Sequence, residues 1–226
     1  MLDFFVNVAP AYVPALLRGA LVTIELSCLS ILLGTALGLL VALGRLSSSS
    51  ILRHLLDAYV EIWRNVPLIV QLLLIYFSLP HVGIRLPAFV AGVVGLSLNL
   101  AAYLSEVFRA AIISISKTQS EAGISIGMSR GQVYRRIIIP QAALIAIPTV
   151  GGYFISLLKD CALVSFISVN ELLREGTIII SATFRSMEVY LLIALIYFIM
   201  SFVAARLVRR LEWALTPRYL RSRLSQ

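Results

Sequence analysis

The chain has 226 residues, of which 60% are hydrophobic and only 13% charged, with a formal net charge of +8 and a mean hydropathy of +0.95. Soluble domains carry roughly 25% charged residues, so this composition excludes an ordinary soluble enzyme and places the chain in a bilayer. The excess of positive charge does not point to nucleic acid, because the basic residues gather at the ends of apolar segments, where membrane topology puts them.

The N-terminal run MLDFFVNVAPAYVPALLRG has an acid instead of a basic leader and contains two prolines. It is expected to be a short interfacial segment and not a cleaved signal. Five segments then approach the about 20 apolar residues that a spanning helix needs. They cover 20–43, 55–79, 87–113, 141–158 and 188–207. Each is expected to be α-helical, since lipid offers no partner to backbone groups. The polar run 47–50 reads as a loop. The segment 161–186 is expected outside, its first part, CALVSFISVNELL, apolar enough to lie on the outer surface or fold back into it, while the apolar run 177–182 is too short to span.

Five spans put the termini on opposite sides. Arg45 and Arg53, then Lys117, Arg130, Arg135 and Arg136, then Arg206, Arg209, Arg210, Arg218, Arg221 and Arg223 fall on one side. Only Arg18, Arg85, Arg174 and Arg185 fall on the other. The positive-inside rule makes the richer side cytoplasmic. The N-terminus is therefore expected outside and the C-terminus inside, with the 118–140 connection in the cytoplasm.

That connection, TQSEAGISIGMSRGQVYRRIIIP, is the largest polar interruption. Thr118 and Glu121 have capping-box spacing, and Ser129 and Gln132 repeat it. Gly127 suits the left-handed residue that ends a helix, and Pro140 is expected to end or kink the second run. Two short capped helices joined at Gly127 follow.

Ionisable groups at membrane depth each need a partner or a task. Glu61 and Arg64 stand three apart and are expected to pair, either fixing helix packing or touching a solute. Asn99, Tyr103 and Glu106 share one helical face, with Arg109 one turn beyond Glu106. This face either lines a wet pathway or holds helices together. Lys159 and Asp160 either snorkel at the outer membrane edge or act in a pathway, if Pro148 and Gly151-Gly152 break the helix and carry them inward. As a pair they would offer a donor to a carboxylate and an acceptor to an ammonium. Cys28, Cys161, His54 and His81 have no metal-site or disulfide spacing. No acid, base and nucleophile stand together, so catalytic residues are not expected.

The residues Glu121, Ala122, Gly127, Ile137, Pro140 and Ala142 resemble the EAA loop of permease subunits from bacterial ABC importers, with Gly123 replacing the second Ala. EIWRNVPLIVQ, AAYLSEVFRAAI, IPTVGGYFISLLKD and the C-terminal RRLEWALTPRY are similar to segments of the polar amino-acid branch. Cys161 and Ala162 replace hydroxyl residues found there. The likeness runs over about residues 19–219 of a single transmembrane domain, 1–226.

The resemblance implies an all-α membrane protein with five transmembrane helices and cytoplasmic coupling helices between the third and fourth. It implies a permease subunit in the bacterial cytoplasmic (inner) membrane, importing a small polar amino acid. Its partners would be a second permease subunit, like or unlike, two ATPase subunits and a periplasmic or extracellular solute-binding protein, besides membrane lipid and no nucleic acid. Coupling would fall to Glu121, Ala122, Gly127, Met128, Ser129 and Pro140. The solute pathway would use Asn99, Tyr103, Glu106, Lys159 and Asp160, with Glu61, Arg64 and Arg109 in structural ion pairs. No phosphate-binding loop G-x-x-x-x-G-K-[ST] is present, so ATP and Mg would belong to the ATPase. The alternative is a self-contained channel or secondary transporter for a small polar solute.

Overall fold

The computed structural model describes residues 9–215, and every regular element among them is helical. The first helix, α1 (Ala9–Arg45), runs for 37 residues. At 1.5 Å per residue it is about 55 Å long, well beyond about 30 Å of hydrocarbon. Residues 9–19 of the expected interfacial segment are helical and continuous with the first span, and the rest of that segment lies outside the described residues. Pro14 lies within it, and the turn is held because Leu16 is fully buried in an apolar cluster with Leu172, Val189 and Ile193.

The helix α2 (Ser50–Asn65) begins at the Ser49 cap, whose hydroxyl accepts from Leu52 N–H. It ends where Val66 turns extended (ψ 133°) ahead of Pro67, the conformation that a following proline favours. The chain resumes as α3 (Leu68–Leu73), which continues through a π turn and a 3₁₀ turn to Val82 at 108° to α2. The expected second span is thus a bent pair and not one straight helix. The break leaves carbonyls without helical partners, and the buried Gln71 side chain donates to two of them, those of Trp63 and Val66, at 2.9 Å each.

The helix α4 (Ala88–Ile113) forms the spine with α1. Their approach is set by Gly34 and Gly38, four apart on α1. A Cβ on Gly34 would meet Leu100 at 2.8 Å, and one on Gly38 would lie 3.0 Å from the Ala101 carbonyl. Small residues at this spacing let membrane helices touch backbone to side chain.

Next come the short α5 (Lys117–Ser125) and α6 (Arg130–Val133), then a π turn Tyr134–Ile138 and α7 (Ile139–Asp160). Pro140 does not end the second run, because α6 continues through the π turn into α7. Ile139 N–H reaches back five residues to Tyr134. The Gln141 side chain donates to the Ile137 carbonyl at 3.0 Å. Nor do Pro148 and the glycine pair break α7, which is helical to Asp160. A 3₁₀ segment Cys161–Ile167 then folds back into the main core beside Leu26, Leu72 and Leu96. The helices α8 (Leu172–Thr183) and α9 (Ser186–Leu215) complete the described chain.

Four helical runs are long and apolar enough to cross a membrane, and the bent pair makes a fifth if it counts as one span. The outward faces of α1 and α9 are apolar, with Leu32, Leu40 and Phe198 each about two-thirds exposed. The fold is that of an all-α, multi-pass membrane protein.

Candidate functional site: two polar cavities and a capped elbow

Two cavities lie along α4. The first, about 590 Å³, is lined by Arg45, Arg53, Asp57, Glu61, Arg64, Tyr103, Glu106 and Arg109, among others. Glu106 is its hub. One carboxylate oxygen accepts from Arg45 at 2.9 Å and the other from Arg109 at 3.0 Å, while Arg64 stands 3.7 Å away. Arg45 also donates to Asp57 at 2.6 Å. The expected Glu61–Arg64 pair is absent: Arg64 turns toward Glu106 and the Tyr103 ring, its guanidinium 5.5 Å from the ring centroid. A local spacing of three permits a pair, but the helix face that α2 presents to α4 decides against it. Arg109 does pair with Glu106, as expected.

The second cavity, about 370 Å³, is lined by Arg64, Asn65, Asn99, Tyr103, Tyr153, Ser156 and Asp160 together with apolar residues. Arg64, Asn65 and Tyr103 line both cavities and form the wall between them. Asn99 has a structural task here as well. Its amide donates to the Trp63 carbonyl at 3.0 Å and to Gln71 Oε1 at 2.9 Å, closing the network around the α2–α3 break.

Lys159 does not join Asp160. It lines a different cavity, with Tyr190 and Tyr197, because neighbours on an α-helix point about 100° apart and α7 stays unbroken. The expected donor–acceptor pair for a zwitterion is therefore not formed by these two residues. Arg64 and Asp160 supply one cation and one anion to the same cavity instead.

The elbow is α5, Gly127 and α6. Its first cap is Ser116 and not Thr118, since Ser116 Oγ accepts from Thr118 N–H at 3.3 Å and helix starts at Lys117. The nearer hydroxyl wins that contest, and Glu121 makes no capping box. The end of α5 is closed by two bonds, Gly127 N–H to Ile124 and Met128 N–H to Gly123, at 2.9 and 3.1 Å. With Gly127 at φ +83° this is a Schellman motif. Ser129 and Gln132 form a reciprocal capping box. Gly123 is buried, and a Cβ there would meet Val133 at 2.9 Å and Ile137 at 3.0 Å. Glycine at this position lets α5 lie on the root of α7. Val133, Met128 and Ile137 pack with Leu43 and Leu46 of the α1 end and Ile112 of α4. Glu121, Ala122, Gly127 and Ser129 are exposed, as are Ile124 and Ile126, the latter 78%.

A further buried group escaped the sequence. Glu171 is inaccessible and caps α8, accepting from Leu173 and Arg174 N–H at 3.0 and 2.9 Å and from Tyr197 at 2.8 Å. Burial holds its carboxyl above the usual carboxylate range, although these donors pull it down. Thr23 on α1 lies 3.5 Å away, so the carboxyl joins three helices. Glutamate is a poor cap signal, and nothing local predicts Tyr197 or Thr23 opposite it. No group of His, Cys, Asp and Glu among the described residues is arranged to hold a metal.

Residues 34–216 match the family of binding-protein-dependent transport system inner membrane components. The chain is similar to the glutamine transport system permease protein GlnP of Escherichia coli, 36% identical over 202 residues that cover 88% of this chain and 92% of the relative. It is also similar to the probable amino-acid ABC transporter permease protein YckA of Bacillus subtilis, 39% identical over 85% of each chain. Among solved structures, a crystal structure of an amino acid ABC transporter with histidines superposes with a TM-score of 0.85 at 39% identity, covering 91% of this chain and 96% of that one. The MetNI methionine ABC transporter in an inward-facing conformation shares the fold, with a TM-score of 0.74 at 21% identity over 89% of this chain and 96% of that one.

Proposed function

The chain belongs to the family of binding-protein-dependent transport system inner membrane components, and from that membership we propose how its cavities and elbow divide the work of transport. It is a permease subunit of an ABC-type amino-acid importer and forms the translocation pathway. It is not itself catalytic; ATPase activity resides on a separate subunit. That architecture implies a partner permease, ATPase subunits and a solute-binding protein.

In the proposed arrangement one domain, residues 1–226, sits in a bacterial inner membrane as five spans, with the bent α2–α3 pair as the second. The N-terminus is outside and the C-terminus inside. Two permease subunits enclose the pathway and two ATPases bind below. The second cavity, with Asp160, Ser156 and Tyr103, receives a small polar amino acid from the outer side, and the first cavity releases it to the cytoplasm. Glu121, Ala122 and the exposed Ile124 and Ile126 dock on the ATPase. Gly127, Met128 and Ser129 hold the elbow's shape, and the π turn ahead of Pro140 joins it to α7.

One observation carries this proposal: the elbow and Asp160 are opposite ends of a single helical run, since α6, the π turn and α7 are continuous. Movement of the elbow is therefore movement of a wall of the second cavity, a rigid-body coupling of the kind that domain closure uses. The Gly127→Val variant tests it. Within the chain nothing lies within 4 Å of a Cβ there, so inside this subunit the change acts through backbone strain. The expected result is ATP hydrolysis that continues while uptake per ATP falls, in the assembled transporter in vesicles. Uptake per ATP equal to the wild type would refute the coupling role.

A further inference from the structure

We propose that Arg64 is the movable wall between the two cavities and selects solutes by their free carboxylate. The inference rests on the pathway proposed above and adds a residue that controls it.

Three guanidinium groups compete for Glu106, and two of them satisfy it. Oε1 accepts from Arg45 and Oε2 from Arg109, at 2.9 and 3.0 Å. Arg64 is left at 3.7 Å, the loosest of the three contacts, and its side chain is 44% exposed against 10% for Arg45. No hydrogen bond engages its guanidinium. Its position comes from the Tyr103 ring, 5.5 Å away, and from the Tyr103 hydroxyl, which donates to the Arg64 carbonyl at 3.4 Å. Arg64 is thus a cation with an open planar fork of donors, parked on an aromatic face between two polar spaces. It belongs to the last turn of α2, two residues before Val66 turns extended ahead of Pro67, so the helix holds its backbone while no hydrogen bond holds its guanidinium.

A carboxylate is the group that such a fork binds bidentately. A solute entering the second cavity with its ammonium toward Asp160 brings its carboxylate to Arg64 and draws the guanidinium off Tyr103. The wall opens as the solute is gripped. Once the solute has moved into the first cavity, Glu106 and the Tyr103 ring reclaim Arg64. A solute whose carboxyl is masked as an amide leaves Arg64 on the ring.

The test uses the complete transporter in sealed vesicles, with the chain's two cysteines, Cys28 and Cys161, replaced by Ala. A cysteine is placed at Ser156 in the second cavity or at Arg53 in the first, and a membrane-impermeant thiol reagent is added from the cytoplasmic side. Arg53→Cys should react quickly in every background. Ser156→Cys should react slowly with Arg64 present and about tenfold faster in Arg64→Ala, the factor that loss of one partly desolvated cation–π contact supplies. Tyr103→Ala should reproduce the release and Tyr103→Phe should not, so the test survives if Arg64→Ala fails to assemble. Equal rates with and without Arg64 would overturn the wall and leave the pathway standing. Fast reaction of Arg53→Cys only from the outer side would instead reverse the proposed orientation, and the same ratio at Ser156→Cys, read from that side, would judge the wall.

Selection is read separately, as thermal stabilisation of the purified transporter by a mixture of the twenty free amino acids or by their α-carboxamides. The free acids alone should stabilise it, and Arg64→Gln should abolish the shift. Stabilisation by both mixtures, by neither, or unchanged in Arg64→Gln would overturn carboxylate recognition.

Discussion

The elbow and the Glu106 cluster lie at the same end of α4, yet they are built on opposite principles. The elbow is held by bonds between residues three to five apart: Ser129 with Gln132, Gly127 with Ile124, Met128 with Gly123. The cluster is held by residues as far apart as Arg45 and Glu106, 61 positions along the chain. A local device can be stiff before it docks on anything. A device assembled from three helices exists only while those helices keep their places, so it reports their movement. The first suits a lever and the second suits a part that changes during the cycle.

The difference can be broken most forcefully at Glu106. Glu106→Ala leaves three guanidinium groups without their shared carboxylate. It should cost about 2–3 kcal/mol, less than for a fully buried pair because the side chain keeps some exposure. Thermal unfolding in detergent measures this, and a change below half of that would mean the cluster is ornamental. Gln71→Leu should follow at about 2 kcal/mol, because the Trp63 and Val66 carbonyls lose a buried donor where proline has already broken the helix. The same melting experiment checks it.

At the elbow single changes should cost less and be repaired locally. Gly127→Val forces a branched residue to positive φ and should cost about 1–2 kcal/mol, whereas Gly127→Asn, which tolerates that conformation, should restore most of the loss. Uptake per ATP should follow the same order. Ser129→Ala should cost about 1 kcal/mol through loss of one cap. Combined with Glu106→Ala it should add within about 0.5 kcal/mol, while Arg45→Met combined with Glu106→Ala should be strongly non-additive. Reversal of that pattern would erase the distinction between the two regions.

The same contrast decides what could be read from the sequence. Four of the five apolar spans, the second capping box and the left-handed Gly127 were legible because each depends on neighbours in the chain. The first cap slipped from Thr118 to Ser116 because several hydroxyls compete there, and spacing alone cannot rank them. Gly34 and Gly38 have a small-residue spacing that is visible in the sequence, but only the fold shows that α4 is the helix it admits. Glu61 and Arg64 illustrate the opposite case: their spacing fits a pair, but Arg64 takes partners on α4 that only the packed fold supplies. Lys159 and Asp160 were separated by the persistence of α7 through Pro148 and its two glycines. Arg45 and Glu171 gained their tasks from helices far away in sequence.

Spin labels at Ile126 on the elbow, Ser156 on α7 and Asn65 across the second cavity test the lever most directly, with distances measured in the assembled transporter before and after ATP binding. The account predicts that the 126–156 distance stays fixed while the 65–156 distance changes by more than about 2 Å, beyond an ordinary helix shift. A changing 126–156 distance with a constant 65–156 distance would mean that the elbow flexes while the cavity stands still, and would contradict it.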